Sequence, residues 1–141
     1  MLEEVMARVE ARCVPPLKAV EGAVSFAALG DNPPKHRQPM AWVIPIGDSG
    51  GANRVATGVI QRVTDRVGVV LALGNLADRR GAAASQTVET VKESVRTALA
   101  GWQPTADHTA LIFRQGRALR LDNGVVWWLD EFEAAHFQRA V

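Results

Sequence analysis

Residues able to do chemistry are few in this chain, and they are scattered. Three histidines, His36, His108 and His136, stand far apart, and none has a second ligand type at a metal-binding interval. No His-x₃-His, Cys-x₂-Cys or His-Glu-x₂-His pattern is present, so local spacing offers no metal site. Asp107-His108 has the composition of a base with its orienting acid. Sequence neighbours rarely face each other, however, and the pair follows Pro104 in a loop, so loop polarity is the expected role. Asp130, Glu131 and Glu133 form an acidic cluster. On a strand Asp130 points away from the other two, and paired-carboxylate catalysis would need a bulge there. A solvated or subunit-facing patch is the simpler expectation. Ser49 and Ser85 lack the strand–turn–helix setting of a nucleophile elbow. The single cysteine, Cys13, ends an amphipathic segment and reads as a buried thiol rather than a nucleophile. No catalytic residue, cofactor or metal is assigned, and the chain is not expected to be an enzyme.

Two further clusters concern binding. Gly47-Asp48-Ser49-Gly50-Gly51-Ala52-Asn53 is glycine-rich but lacks the Lys-Ser/Thr ending of a phosphate-binding loop, and no helix follows it. It reads as a flexible tip that orders on a neighbour. Arg54, Arg62, Arg66, Arg79 and Arg80 gather around the same region without aromatic interleaving or a basic helix, and Asp65 interrupts them. Pairing with a complementary protein surface suits them better than nucleic-acid readout. The net charge of +1, from 16 basic and 15 acidic residues, gives no global pull toward nucleic acid either. A lone cysteine fits a reducing compartment. The first residues lack a signal-peptide run, and no apolar stretch reaches membrane-spanning length. At 141 residues, 48% hydrophobic and 22% charged, the chain reads as one soluble domain, residues 1–141.

The elements that must position these residues follow from periodicity. Val59 to Leu76 places Val59, Val63, Val67, Val69, Leu71 and Leu73 on one face of a strand. At ~3.3 Å per residue this run would extend roughly 50 Å, too long for one small core. Its second half is expected at the centre of the sheet, and its first half in a projecting hairpin with Trp42–Gly47. Pro45 cannot donate to a ladder, so its strand should lie at an edge or end in a bulge. Leu2–Cys13 and Ala82–Ala100 read as amphipathic helices, the first stopped by Pro15-Pro16 and the second by Gly101 and Pro104. Leu17–Glu21 is a short strand and Val24–Leu29 a short helix, before a loop containing Lys35-His36-Arg37. Three meander strands are expected to end the sheet: Ala110–Arg114, Ala118–Leu121 after a turn at Gln115-Gly116, and Val125–Phe132 after Asn123-Gly124. Trp127 and Trp128 point to opposite faces of the last strand, so both faces need cover from the core, a helix layer or another chain. Ala134–Val141 reads as a weakly determined tail. The class is α+β, a mainly antiparallel sheet with a long projecting β-hairpin and helices packed on it.

The segments Ala41-Trp42-Val43-Ile44-Pro45-Ile46-Gly47, Asn53-Arg54, Gln61 to Leu71, Gly101-Trp102-Gln103-Pro104 and Gly124 to Phe132, in that order, resemble the Mu-type tail terminator proteins of tailed phages. The resemblance spans residues 12–137. It implies a structural virion protein of the tail and neck, assembled in the host cytoplasm. Such a protein forms a homo-oligomeric ring, typically a hexamer, at the head-proximal end of the tail tube. The ring ends tube polymerisation and offers a surface to head-completion or neck proteins, while DNA passes through its lumen without sequence recognition. The family supplies no catalytic or motif-defined binding residues. The residues themselves offer Asn53, Arg54, Arg62, Asp65, Arg66, Arg79, Arg80, Trp127, Asp130 and Glu131 as candidate contacts to the next subunit or the tube. A head-completion or other neck protein, or a small enzyme or ligand-binding domain with a pocket near Trp102, Asp107 and His108, are the competing readings.

Overall fold

The computed structural model describes residues 1–29, 39–74, 82–122 and 124–140. The elements run α1 (Leu2–Cys13), β1 (Ala19–Gly22), α2 (Ala23–Ala28), β2 (Met40–Asn53), β3 (Val59–Gly74), α3 (Ala82–Leu99), β4 (Ile112–Asp122) and β5 (Val125–Ala140). They build one open five-stranded sheet in the order β1-β2-β3-β5-β4, in which only the β1–β2 pair is parallel. The α+β class and the hairpin of β2 and β3 are as the sequence led us to expect.

Strand parity sorts the core. The odd residues Val67, Val69, Leu71 and Leu73 of β3 join Phe132 and Ala134 of β5 beneath α1 and α3. These helices contribute Val5, Val9, Cys13, Val91, Val95 and Leu99, the apolar stripes of two amphipathic sequences. On the opposite face Met40, Trp42, Val70, Ala72, Trp127 and Leu129 pack together with Phe26 and Leu29 from the α2 region. Trp127 stacks on Trp42 with ring centroids 5.6 Å apart, an arrangement worth ~0.5–1.5 kcal/mol beyond the area it buries. The two consecutive indoles are therefore covered on both sides by the chain itself, with Lys92 of α3 lying 3.9 Å over the ring of Trp128.

Several boundaries differ from expectation, each for a physical reason. Gly47–Asn53 is strand, because Gly47 at φ 149° sits in a bulge beside Pro45 and lets the β2 ladder resume. Ala134–Ala140 is no loose tail but continues β5, paired with β3 without a break from Gly74↔Val125 to Val59↔Ala140. The projecting hairpin thus has a third strand. Gln115-Gly116 is not a turn, and β4 is one strand with bulges at Phe113/Gln115 and Ala118/Arg120. Two strands rather than three finish the sheet. Pro45 satisfies both expectations at once, lying at a bulge and beyond Val43, where β1 ends and β2 becomes an edge. The loop Lys35-His36-Arg37, the charged residues Arg79 and Arg80, and Asn123 lie outside the described residues.

Candidate functional site

A concentration of titratable side chains on the helix-bearing face lies where β3 and β5 emerge from under the helices. Asp65 shares that face with Val67, and His136 shares it with Ala134 and Phe132. The carboxylate Oδ2 of Asp65 is 2.6 Å from His136 Nδ1 and 2.9 Å from His108 Nε2. The two imidazoles lie 5.0 Å apart at 57°. His108 is carried by the 101–111 connection, which is tightly fixed. Gly101, at φ 84°, and Leu111 bond each other's segment through Gly101 N–H to Leu111 O (2.8 Å) and Leu111 N–H to Trp102 O (2.8 Å). Thr109 and Ala135 exchange two more bonds, and Gln103 Nε2 donates to His108 O at 2.8 Å. Thr105 Oγ1, 2.7 Å from His108 Nδ1, holds the far side of the ring.

The cluster opens on a cleft of about 490 Å³ lined by Glu3, Glu4, Pro45, Asp48, Arg66 and the three residues themselves, among others. Four carboxylates against one guanidinium and the terminal ammonium of Met1 give its wall an acidic balance. The Glu4 carboxyl is held below the usual carboxylate range, first by its own backbone N–H and then by the terminal ammonium of Met1. The base–acid pair is thus Asp65 with His108, not Asp107 with His108, and Asp107 stays exposed. Asp65, His108 and Thr105 form a relay in outline. The Thr105 hydroxyl, however, also accepts the Asp107 N–H at 3.2 Å in a local turn, and Thr105 is not among the described residues that line this cleft.

The proposed contact residues separate into several groups. Arg62 is exposed on the bare half of β3. Arg66 is also exposed, and its Nε lies 3.5 Å from Glu133, which Arg114 approaches equally closely. Arg54 lies 4.9 Å over the ring of Phe137. Asn53 closes the β2–β3 tip, donating to Gly58 O and accepting from Ile60 N–H, both at 2.9 Å, so its side chain serves the turn. Glu131 bonds Gln115 across the β4–β5 ladder. Trp127 is buried against Trp42 and Asp130 is 0% exposed, so in the free subunit both side chains are engaged inside the fold.

Asp130 instead anchors an internal ion pair. Arg96 of α3 grips it through two bonds, Nε to Oδ2 at 3.0 Å and Nη2 to Oδ1 at 2.9 Å, while Trp128 Nε1 donates to Oδ1 at 2.7 Å. The bond to Asp130 raises the Arg96 pKa, against the opposing effect of its partial burial. Gly116 makes room for the pair: a Cβ there would fall 2.5 Å from Asp130 Oδ1 and 2.7 Å from Arg96 Nη2. A glycine read as a turn is in fact a close approach.

The histidine–aspartate cluster escaped sequence reading because its members come from residues 65, 108 and 136. The available signal was parity: once β3 and β5 pair antiparallel, Asp65 and His136 must share the face of Val67 and Phe132. Nothing local places His108 beside them.

Residues 1–140 match the family described as phage tail terminator protein, and the chain belongs to that family. The match is to the family as a whole and does not distinguish a Mu-type branch within it. Its role is accordingly structural, in the phage tail. No curated protein matches the chain by sequence. Among solved structures, a chain of the "Virion of native gene transfer agent (GTA) particle" is similar at 17% identity and a TM-score of 0.49, covering 95% of this chain and 84% of that one. Among the described residues no helix is long and apolar enough to cross a membrane.

Proposed function

We propose that this subunit closes into a ring, six-fold as the family resemblance implies, on the head-proximal end of the tail tube. There it ends tube polymerisation and presents a surface to head-completion or neck proteins, with DNA passing through the lumen unread. The observation that carries this reading, beside family membership, is the three-stranded extension. Pro45–Asn53 of β2, Val59–Arg66 of β3 and the end of β5 continue past the helix layers, with an unbroken β3–β5 ladder and a twice-bulged β2–β3 ladder, and no helix among the described residues lies across them. A sheet of this length with one half bare has its natural use in covering, or being covered by, another chain.

A ring needs a heterologous contact, one patch meeting a different patch on the next subunit. With Trp127 internal, the two unlike patches are the open edge of β2 beyond Val43 and the outer edge of β4. The latter carries the exposed side chains of Leu119 and Leu121 with Arg117 and Arg120 beside them. Electron microscopy of the purified protein, alone and with polymerised tail tubes, tests the proposal. Closed rings with several-fold symmetry, and density at one end of each tube, are expected. A strictly monomeric species that leaves tube ends bare would contradict it.

A further inference from the structure

From Asp65, His108 and His136 we infer a binding site for a divalent transition-metal ion of the zinc class, independent of the ring-forming role. Three features point there. First, the donor set is two imidazole nitrogens and one carboxylate oxygen, all within 4.8 Å of one another. That combination suits Zn²⁺ and its neighbours in the series rather than Ca²⁺ or Mg²⁺, which take oxygen donors. Second, the cleft wall is acidic on balance, with Glu3, Glu4, Asp48 and Asp65 against Arg66 and the terminal ammonium of Met1, which pairs with Glu4 at 3.1 Å, so a cation is favoured at its floor. Third, the ligands come from elements that are already rigid. Asp65 and His136 sit on adjacent, fully paired strands, and His108 is fixed by backbone bonds and by Thr105.

The geometry needs little adjustment. An ion ~2.0–2.2 Å from each donor requires donor atoms roughly 3.3 Å apart. Asp65 Oδ2 now lies 2.6 and 2.9 Å from the two nitrogens, and all three donors lie within 4.8 Å of one another, so the carboxylate withdraws by less than about 1 Å while the two rings turn to bring their nitrogens to the ion. Protons also balance. Without an ion, His108 Nε2–H and His136 Nδ1–H donate to Asp65, while the Thr105 hydroxyl donates to His108 Nδ1. With an ion, each neutral ring moves its proton to the other nitrogen, and His108 Nδ1–H donates to Thr105 Oγ1. Such a hydrogen bond to the far nitrogen is the usual support of a metal-bound histidine. Three protein ligands leave a fourth position facing the cleft. The ion would tie the 101–111 connection to the bare half of β3 and β5, the part of the fold that lacks a helix to brace it.

Calorimetric titration of the full chain with ZnCl₂, after dialysis against EDTA and a circular-dichroism check that it remains folded, tests the site. One equivalent of Zn²⁺ per chain is expected, with a rise in Tm on saturation. Co²⁺ in place of Zn²⁺ should give the intense visible bands of a tetrahedral ion. The double variant His108→Asn/His136→Asn should lose both signals. Thr105→Val, which keeps all three ligands, should weaken Zn²⁺ binding by about 10–100-fold. Absence of stoichiometric Zn²⁺ binding to the folded wild-type chain would overturn the inference. So would binding of equal strength and equal Co²⁺ spectrum in the folded double variant. If that variant does not fold, the wild-type stoichiometry, the Co²⁺ spectrum and the Thr105→Val affinity decide together. An octahedral Co²⁺ spectrum with unchanged affinity in Thr105→Val would mark surface adsorption and also overturn it.

Discussion

The strand β3 passes through two environments without changing its partners. From Val67 to Leu73 every residue is buried, with α1 and α3 on one side and α2 on the other. From Val59 to Arg66 none is buried, although β2 and β5 still flank it. The β3–β5 ladder is unbroken through both halves and the β2–β3 ladder is bulged only in the outer one, so the chief difference between the halves is the covering layers. Stability should reside in the covered half, where apolar area leaves water at ~25 cal/mol per Å². The bare half keeps its shape through the ladder and remains available for contact.

The largest expected effect in the covered half is Phe132→Ala. Its ring is fully buried and meets Phe113 edge-on at 5.7 Å, and its loss should cost ~3–5 kcal/mol in chemical denaturation. Arg96→Met should follow at roughly 3 kcal/mol, because it strands the buried carboxylate of Asp130 without its cation. Gly116→Ala should cost ~1–3 kcal/mol by pushing that same pair apart, and a neutral result would show that the close approach relaxes freely. In the bare half, Arg62→Glu should change unfolding by no more than ~0.5 kcal/mol yet weaken assembly measured by sedimentation. Arg66→Glu should add a small stability loss, since it gives up an exposed pair with Glu133. Equal losses of stability and assembly in both variants would erase the distinction between the halves.

Cys13 offers a pH-based check on the covered half. Burial pushes its thiol above its ordinary value, with a hydrogen bond from Ser94 partly offsetting this. The thiolate is the reactive form. Alkylation of the folded protein should therefore remain slow at pH values where an exposed thiol reacts readily, and become fast only on unfolding. Rapid labelling under native conditions would show that the α1 contact opens.

Much of this division was legible in sequence. The alternation of Val67, Val69, Leu71 and Leu73 announced a core strand, and Arg62, Thr64 and Arg66 announced a wetter segment before it. Both long helices could be read from stripes and stop signals. Tertiary choices between equivalent local readings could not. Gly116 has the look of a turn glycine, and only the Arg96–Asp130 pair explains why it sits in a strand. Ala134–Ala140 is too short and polar at its end to declare itself a strand, and its order depends on β3 being long enough to pair with it. Trp127 and Asp130 looked like contact residues by type, but a stacked indole and a guanidinium from α3 had already taken them. The Asp65–His108–His136 cluster depends on a register across 71 positions, which no local spacing encodes.

Hydrogen–deuterium exchange on the free subunit and on subunits bound to tail tubes would test the division most directly. New protection is predicted across Ile44–Arg66 and the end of β5, with the already slow amides of Val67–Leu73 unchanged. Protection gained only elsewhere, with the bare strands exchanging as fast in the assembled state as in the free one, would contradict it.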